Sequence, residues 1–134
     1  MDNPGIIDFG DFTILSAGTQ TGEWVENLEG ILSLSIQSRL AYGSGGTEIR
    51  VYVQTSFDQE TTAVDIACIL FATVSETKIV NLSGLTTAQM TPVDGSLSDD
   101  TAVDGMLGDR FRCKIVSTGT YSNSTIVSIR GMAR

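Results

Sequence analysis

From Leu32 onward, apolar and polar residues change places at nearly every step. Leu32, Leu34, Ile36 and Leu40 alternate with Ser33, Ser35, Gln37 and Arg39, the period of two that a strand with one buried face imposes. Tyr42-Gly43-Ser44-Gly45-Gly46 breaks the run with residues that tolerate positive φ. Alternation resumes over 47–56, where Ile49, Val51 and Val53 oppose Glu48, Arg50, Tyr52 and Gln54. The two segments read as an antiparallel hairpin joined by a flexible five-residue loop.

Beyond the polar turn at Asp58-Gln59-Glu60, the run from Val64 to Thr73 is apolar nearly throughout. Ile66, Cys68 and Leu70 face one way and Ala67, Ile69 and Phe71 the other, as in a central strand covered on both faces. Lys78 to Leu82 predicts another short strand. From Leu85 to Gly108 periodicity is lost, and a loop this long in a compact domain is either functional or crosses between sheets. Asp109 to Thr118 alternates again, and Ser124 to Met132 forms a last strand after the turn at 119–123.

The first 29 residues carry four glycines between short apolar pieces, such as Phe12-Thr13-Ile14-Leu15 and Trp24-Val25. They read as an irregular N-terminal arm with one or two short strands. The expected architecture is therefore all-β: a two-sheet antiparallel sandwich over 30–134, jelly-roll-like or immunoglobulin-like, with seven to eight strands, preceded by an arm over 1–29.

Composition narrows this picture. A chain of 134 residues suffices for one core. Only 18% of residues are charged, and the wealth of Thr, Val, Ile, Ser and Gly suits strands and turns better than helix faces. The net charge of −8 argues against a nucleic-acid partner, because phosphate binding needs a basic footprint. No stretch resembles a secretion signal or a membrane-spanning run, so the chain is expected to be made in a cytoplasm and to stay soluble. Cys68 and Cys113 lie in apolar blocks far apart and read as buried free thiols, not metal ligands.

Histidine is absent, which removes imidazole-based triads and an imidazole base, so the chain does not read as an enzyme. Asp99, Asp100 and Asp104 in the long loop offer carboxylates for glycoside hydrolysis, and the segment 94–105 offers oxygens for calcium. Its spacing departs from the EF-hand pattern, and a solvated acidic loop is the plainer reading. No cofactor is expected. Two tripeptides, Asn81-Leu82-Ser83 and Asn123-Ser124-Thr125, match a glycosylation sequon but carry no weight in a chain expected to lack a signal peptide.

Four residues stand out as partner-binding candidates. Strand alternation puts Arg110, Arg112 and Lys114 on one face, a basic stripe on an acidic protein. They either pair with carboxylates on neighbouring strands or set the orientation of an acidic partner. Trp24, with Tyr42 and Tyr121, forms either an aromatic platform for sugar or packing at the rim of the core.

Longer stretches carry a resemblance. Val51-Tyr52-Val53-Gln54-Thr55-Ser56-Phe57-Asp58, Val93-Asp94-Gly95-Ser96-Leu97-Ser98-Asp99-Asp100, Asp104-Gly105-Met106-Leu107-Gly108-Asp109-Arg110-Phe111-Arg112 and Ser117-Thr118-Gly119-Thr120-Tyr121 resemble segments of small virion structural proteins of tailed bacteriophages. Asp11 to Gly18 is similar to their usual opening. One departure is the turn Ser122-Asn123-Ser124, where a glycine is more usual and Asn123 has to supply any positive φ. The resemblance implies a capsid decoration or cement protein on the exterior of the virion, bound to the major capsid protein and trimeric. It also implies that the arm orders on a neighbour while the rest folds without it. A glycan- or receptor-binding module on a phage head or tail is the alternative.

Overall fold

A computed structural model of the chain describes residues 5–134. Its strands are β1 (Gly5–Thr13), β2 (Gly18–Thr21), β3 (Ser33–Ala41), β4 (Ser44–Gly45), β5 (Glu48–Ser56), β6 (Val64–Phe71), β7 (Glu76–Ser83), β8 (Thr101–Ala102), β9 (Arg110–Thr118), β10 (Tyr121–Ser122) and β11 (Ile126–Ala133). Eight have four residues or more, six of them in the segments where alternating or apolar runs were read as strands, and β1 and β2 in the stretch read as an arm.

Sheet I has the order β1-β11-β3-β7 and sheet II the order β2-β9-β5-β6-β8, with every neighbouring pair antiparallel. Among the longer strands only β5 and β6 are both consecutive and paired. All the others switch sheet at each step. Two sheets threaded in this way, with the first strand beside the last, form a jelly roll.

The inward residues of both sheets meet in one core. Leu34, Ile36 and Leu40 of β3 and Val127 and Ile129 of β11 face Ile49, Val51 and Val53 of β5 and Phe111, Cys113 and Ile115 of β9, all buried. The alternation seen in β3, β5 and β9 is the pleat itself.

Two expectations change. The segments expected to form a hairpin do not pair: β3 lies between β11 and β7, and β5 between β6 and β9. Alternation reveals that each strand buries one face, not whether the connecting loop returns within a sheet or crosses to the opposite one. Here 42–46 crosses, tied down by β4 against β10. Gly46 has φ +74°, and the Tyr121 ring fills the space where its Cβ would stand. The buried Tyr121 donates from its hydroxyl to the Ala72 carbonyl at 3.3 Å, so the loop is packed in place.

The segment set aside as an arm is also changed. Residues 1–4 lie outside the described residues, but 5–29 belong to the sandwich. β1 pairs with β11 along its length, interrupted by a bulge between Asp8 and Gly10, and β2 pairs with β9. Ile7, Phe9, Ile14 and Leu28 are buried in the shared core. Frequent glycines hid this pattern: Gly10 (φ +112°) sits at the bulge that shifts the alternation by one residue. The boundary at Gly30 therefore does not separate an arm from a body. The turn at 122–124 behaves as read, with Asn123 at φ +57°, joined by Ser124 at φ +60°.

Phe9→Ala is expected to lower the unfolding free energy by about 3 kcal/mol, as for other buried aromatic truncations. A urea midpoint unchanged by that substitution would mean that β1 adds nothing to the core.

Candidate interaction surfaces

Each sheet has an outer face, and the two differ. On sheet II the long connection after β7 folds back across the strands. Its residues run along the edge of β6: Asp65 N–H donates to the Val93 carbonyl and Val103 N–H to the Ile66 carbonyl, both at 2.8 Å, and β8 pairs with Ala67 and Cys68. This covering makes Tyr52, Gln54, Ser56 and Asp65 buried although they point away from the core.

Asp65 organises the covering. Its carboxylate accepts the backbone N–H groups of Gly95 (2.8 and 3.0 Å), Ser96 (2.9 Å) and Leu97 (3.1 Å), and the Gln54 amide at 2.8 Å. Three successive amides converging on one anion form a backbone nest. Gln54 also donates to Asp94 at 2.6 Å and accepts from Arg112 Nε at 2.8 Å, while Lys114 reaches Asp94 at 3.0 Å. Farther along, Asp99 pairs with Arg50 at 2.6 Å, and Asp100 holds Lys78 and the Leu70 N–H.

The basic stripe lies where the alternation placed it, on the outward side of β9, and is engaged within the chain. Arg110 bonds Glu60, Glu26 and Asp109. Arg112 stacks on Trp24, 4.5 Å from the ring centroid, and Lys114 braces Asp94. Trp24 and the stripe are thus brought together. Tyr42 and Tyr121 meet edge to face at 6.3 Å beside the turn after β9, whereas Trp24 sits beside Arg112 near the start of that strand, so the three rings form no common platform.

The acidic loop resolves in the same way. Asp94, Asp99, Asp100 and Asp104 each have their own donors, Asp104 accepting the Ser83 N–H. Among the described residues no three Asp, Glu, Cys or His side chains gather to hold a metal ion. Both cysteines are buried and unbonded, and burial pushes the Cys68 thiol up to about 11.

Among the described residues, no segment covers sheet I in this way. Its outer face carries the polar residues Ser35, Gln37, Thr77, Asn81 and Ser128, the charged residues Asp8, Asp11, Arg39 and Arg130, and three apolar ones. Ile6 and Met132 are direct partners across β1 and β11, and Ile79 stands opposite Gln37. Ile6 is 77%, Ile79 68% and Met132 37% exposed, and they border a shallow depression of about 290 Å³ with Ser35, Gln37 and Arg130. Sequence reasoning missed this surface. Ile79 was visible in a strand, but only the strand order sets it near Ile6 and Met132.

No family model matches the chain, and no curated protein or solved structure matches it.

Asp65→Ala is expected to cost about 3 kcal/mol, because Gln54 and the nest amides lose a buried acceptor. Amide exchange at 95–97 should accelerate more than in β3. Equal protection in the variant and the wild type would show that the loop holds without the carboxylate.

Acid should release the same loop. The hydrogen bond from Arg50 holds Asp99 below the usual carboxylate value of 3.8. For Asp94, partial burial pushes the pKa upward, but hydrogen bonds from Gln54 and Lys114 outweigh it and leave the value lowered. A carboxylate lowered on folding stabilises fully above its unfolded pKa, and that stability is lost as pH falls through the folded value. The melting temperature should therefore drop below about pH 4, less steeply in the Asp94→Asn/Asp99→Asn double variant. Parallel profiles for the two proteins would count against these pairs.

Proposed function

We propose that the chain is a structural virion protein of a tailed bacteriophage, seated on the outer surface of the capsid and stabilising contacts between capsomers. The observation that carries the reading is the uncovered face of sheet I. Large apolar side chains grouped on an exposed sheet face gain by burial against another protein, at roughly 25 cal/mol for each Å² removed from water. Ile6, Ile79 and Met132 provide such a group in a chain whose other large face is already occupied by its own loop.

The jelly-roll order and the resemblance of the 51–58, 93–100 and 104–112 segments to phage virion proteins support the same reading. A cement protein need not reorganise bonds. It has to be rigid and attach at several points, so that each further contact is effectively intramolecular. Association as trimers, with the major capsid protein as partner, would multiply those contacts. The role first assigned to a flexible arm falls instead to a fixed surface, since 5–29 is built into the sheets.

The test is cosedimentation with phage heads depleted of this protein. The wild-type chain is expected to bind, and Ile79→Asp with Met132→Asp to reduce occupancy at least about tenfold, the equivalent of about 1.4 kcal/mol, with an unchanged far-ultraviolet spectrum. Full occupancy by the double variant would remove sheet I from the contact. Binding to isolated tails but not to heads would overturn the capsid position.

A further inference from the structure

Two strand edges remain open on one side of the sandwich. β1 ends sheet I, and β2 ends sheet II, continued by Gly22 and Val25, whose N–H groups donate to the Cys113 and Phe111 carbonyls. Between them runs a groove of about 550 Å³, with Phe12 and Trp24 among its walls and Asp8, Asp11 and Glu23 along it. Arg112 of the basic stripe stacks on its Trp24 wall, and Arg130 from the outer face of sheet I pairs with Asp8 and Asp11 along it.

The groove is aromatic because two positions lack side chains. The Phe12 ring lies 3.4 Å from where a Cβ on Gly10 would stand and 3.1 Å from one on Gly22. A side chain at position 22 would press on the ring, whereas at position 10 the φ of +112° strains any L residue and its Cβ would only touch the ring. Trp24 already stacks with one guanidinium, that of Arg112, on its ring, the attraction of a cation to an aromatic face.

The charge has one sign in excess. Arg130 serves both Asp8 (2.9 Å) and Asp11 (3.1 Å), whereas Glu23 has no ion-pair partner among the described residues. With Arg112 on Trp24 counted beside Arg130, three carboxylates stand against two guanidiniums, an excess of one negative charge. The net charge of −8 on the whole chain adds long-range attraction for a basic partner. At the bulge, Gly10 donates its N–H to Asp8 at 2.8 Å, so an added strand would find the ladder interrupted there. An occupant is therefore held by side chains more than by main-chain pairing.

We infer that this groove receives an arginine- or lysine-bearing extended segment of a partner protein. The cationic head packs on the aromatic wall, and the carboxylates of Glu23 and the Asp8–Asp11 pair surround it. The inference rests on the reading of the chain as an assembly protein and names the chemistry that its partner presents.

Trp24 is the sole tryptophan, so its emission reports occupancy directly. The purified protein is titrated with acetyl-Gly-Arg-Gly-Arg-Gly-amide and with the analogue carrying glutamine for arginine. The expected result is saturable quenching by the arginine peptide alone, weakened as salt rises from about 50 to about 300 mM. Glu23→Gln should weaken binding about threefold and Glu23→Arg about tenfold; Glu23 is exposed, so both variants are expected to melt as the wild type does.

Equal binding of the two peptides, or no effect of Glu23→Arg, would overturn the inference. So would saturation by a chito-oligosaccharide without any response to the arginine peptide, which would make the groove a glycan site. Head binding that survives Glu23→Arg, together with absent peptide binding, would overturn the groove and leave the capsid reading standing.

Discussion

Asp65 is an ionisable side chain with no exposure, placed on the outward side of a strand where a jelly roll ordinarily meets water. A buried carboxylate needs its hydrogen-bonding capacity filled, or the cost of leaving water is not repaid. Here the donors come from Gln54 on the neighbouring strand and from three amides of the loop. The loop must lie across sheet II for those amides to reach it. The rest of the covering follows: Asp94 comes within reach of Lys114, Asp99 of Arg50, and Asp100 of Lys78.

The sandwich is asymmetric as a result. Sheet II engages its cations within the chain: Arg50 and Lys114 fasten the loop through Asp99 and Asp94, Arg112 bonds Gln54, and Arg110 bonds Glu26, Glu60 and Asp109. Among the described residues nothing covers the outer side of sheet I, which carries Asp8, Asp11, Arg39 and Arg130, polar residues, and the apolar Ile6, Ile79 and Met132. One face is thereby stiffened by polar bonds while the other remains available for burial against a partner. That division of labour supports an assembly role better than either face would alone.

Much of the fold was legible as alternation. β3, β5 and β9 follow their apolar positions residue by residue, and β6 reads as buried on both sides because it is. The covering of Tyr52 and Gln54 was not legible, since polar residues on the outward side of a strand look the same whether water or a loop lies above them. β1 escaped notice because the bulge at Gly10 breaks the period of two in a stretch already short of long apolar runs. Of the candidate site, the shared face of Arg110, Arg112 and Lys114 followed from parity alone, but their partners Glu60, Gln54 and Asp94 are 50, 58 and 20 positions away.

By itself, the sequence determined the class of structure and the parity of each regular strand, because side-chain period and burial are local properties of a pleated chain. It also determined what chemistry is absent, since a chain without histidine has no imidazole to place. Tertiary structure decided everything that depends on which strand lies beside which: the crossing at 42–46, the closing of β1 on β11, the nest around Asp65, and the placing of Ile6, Ile79 and Met132 around one depression. Those contacts join residues far apart along the chain, and a hydrophobic period says how a strand is oriented but not which neighbour it has.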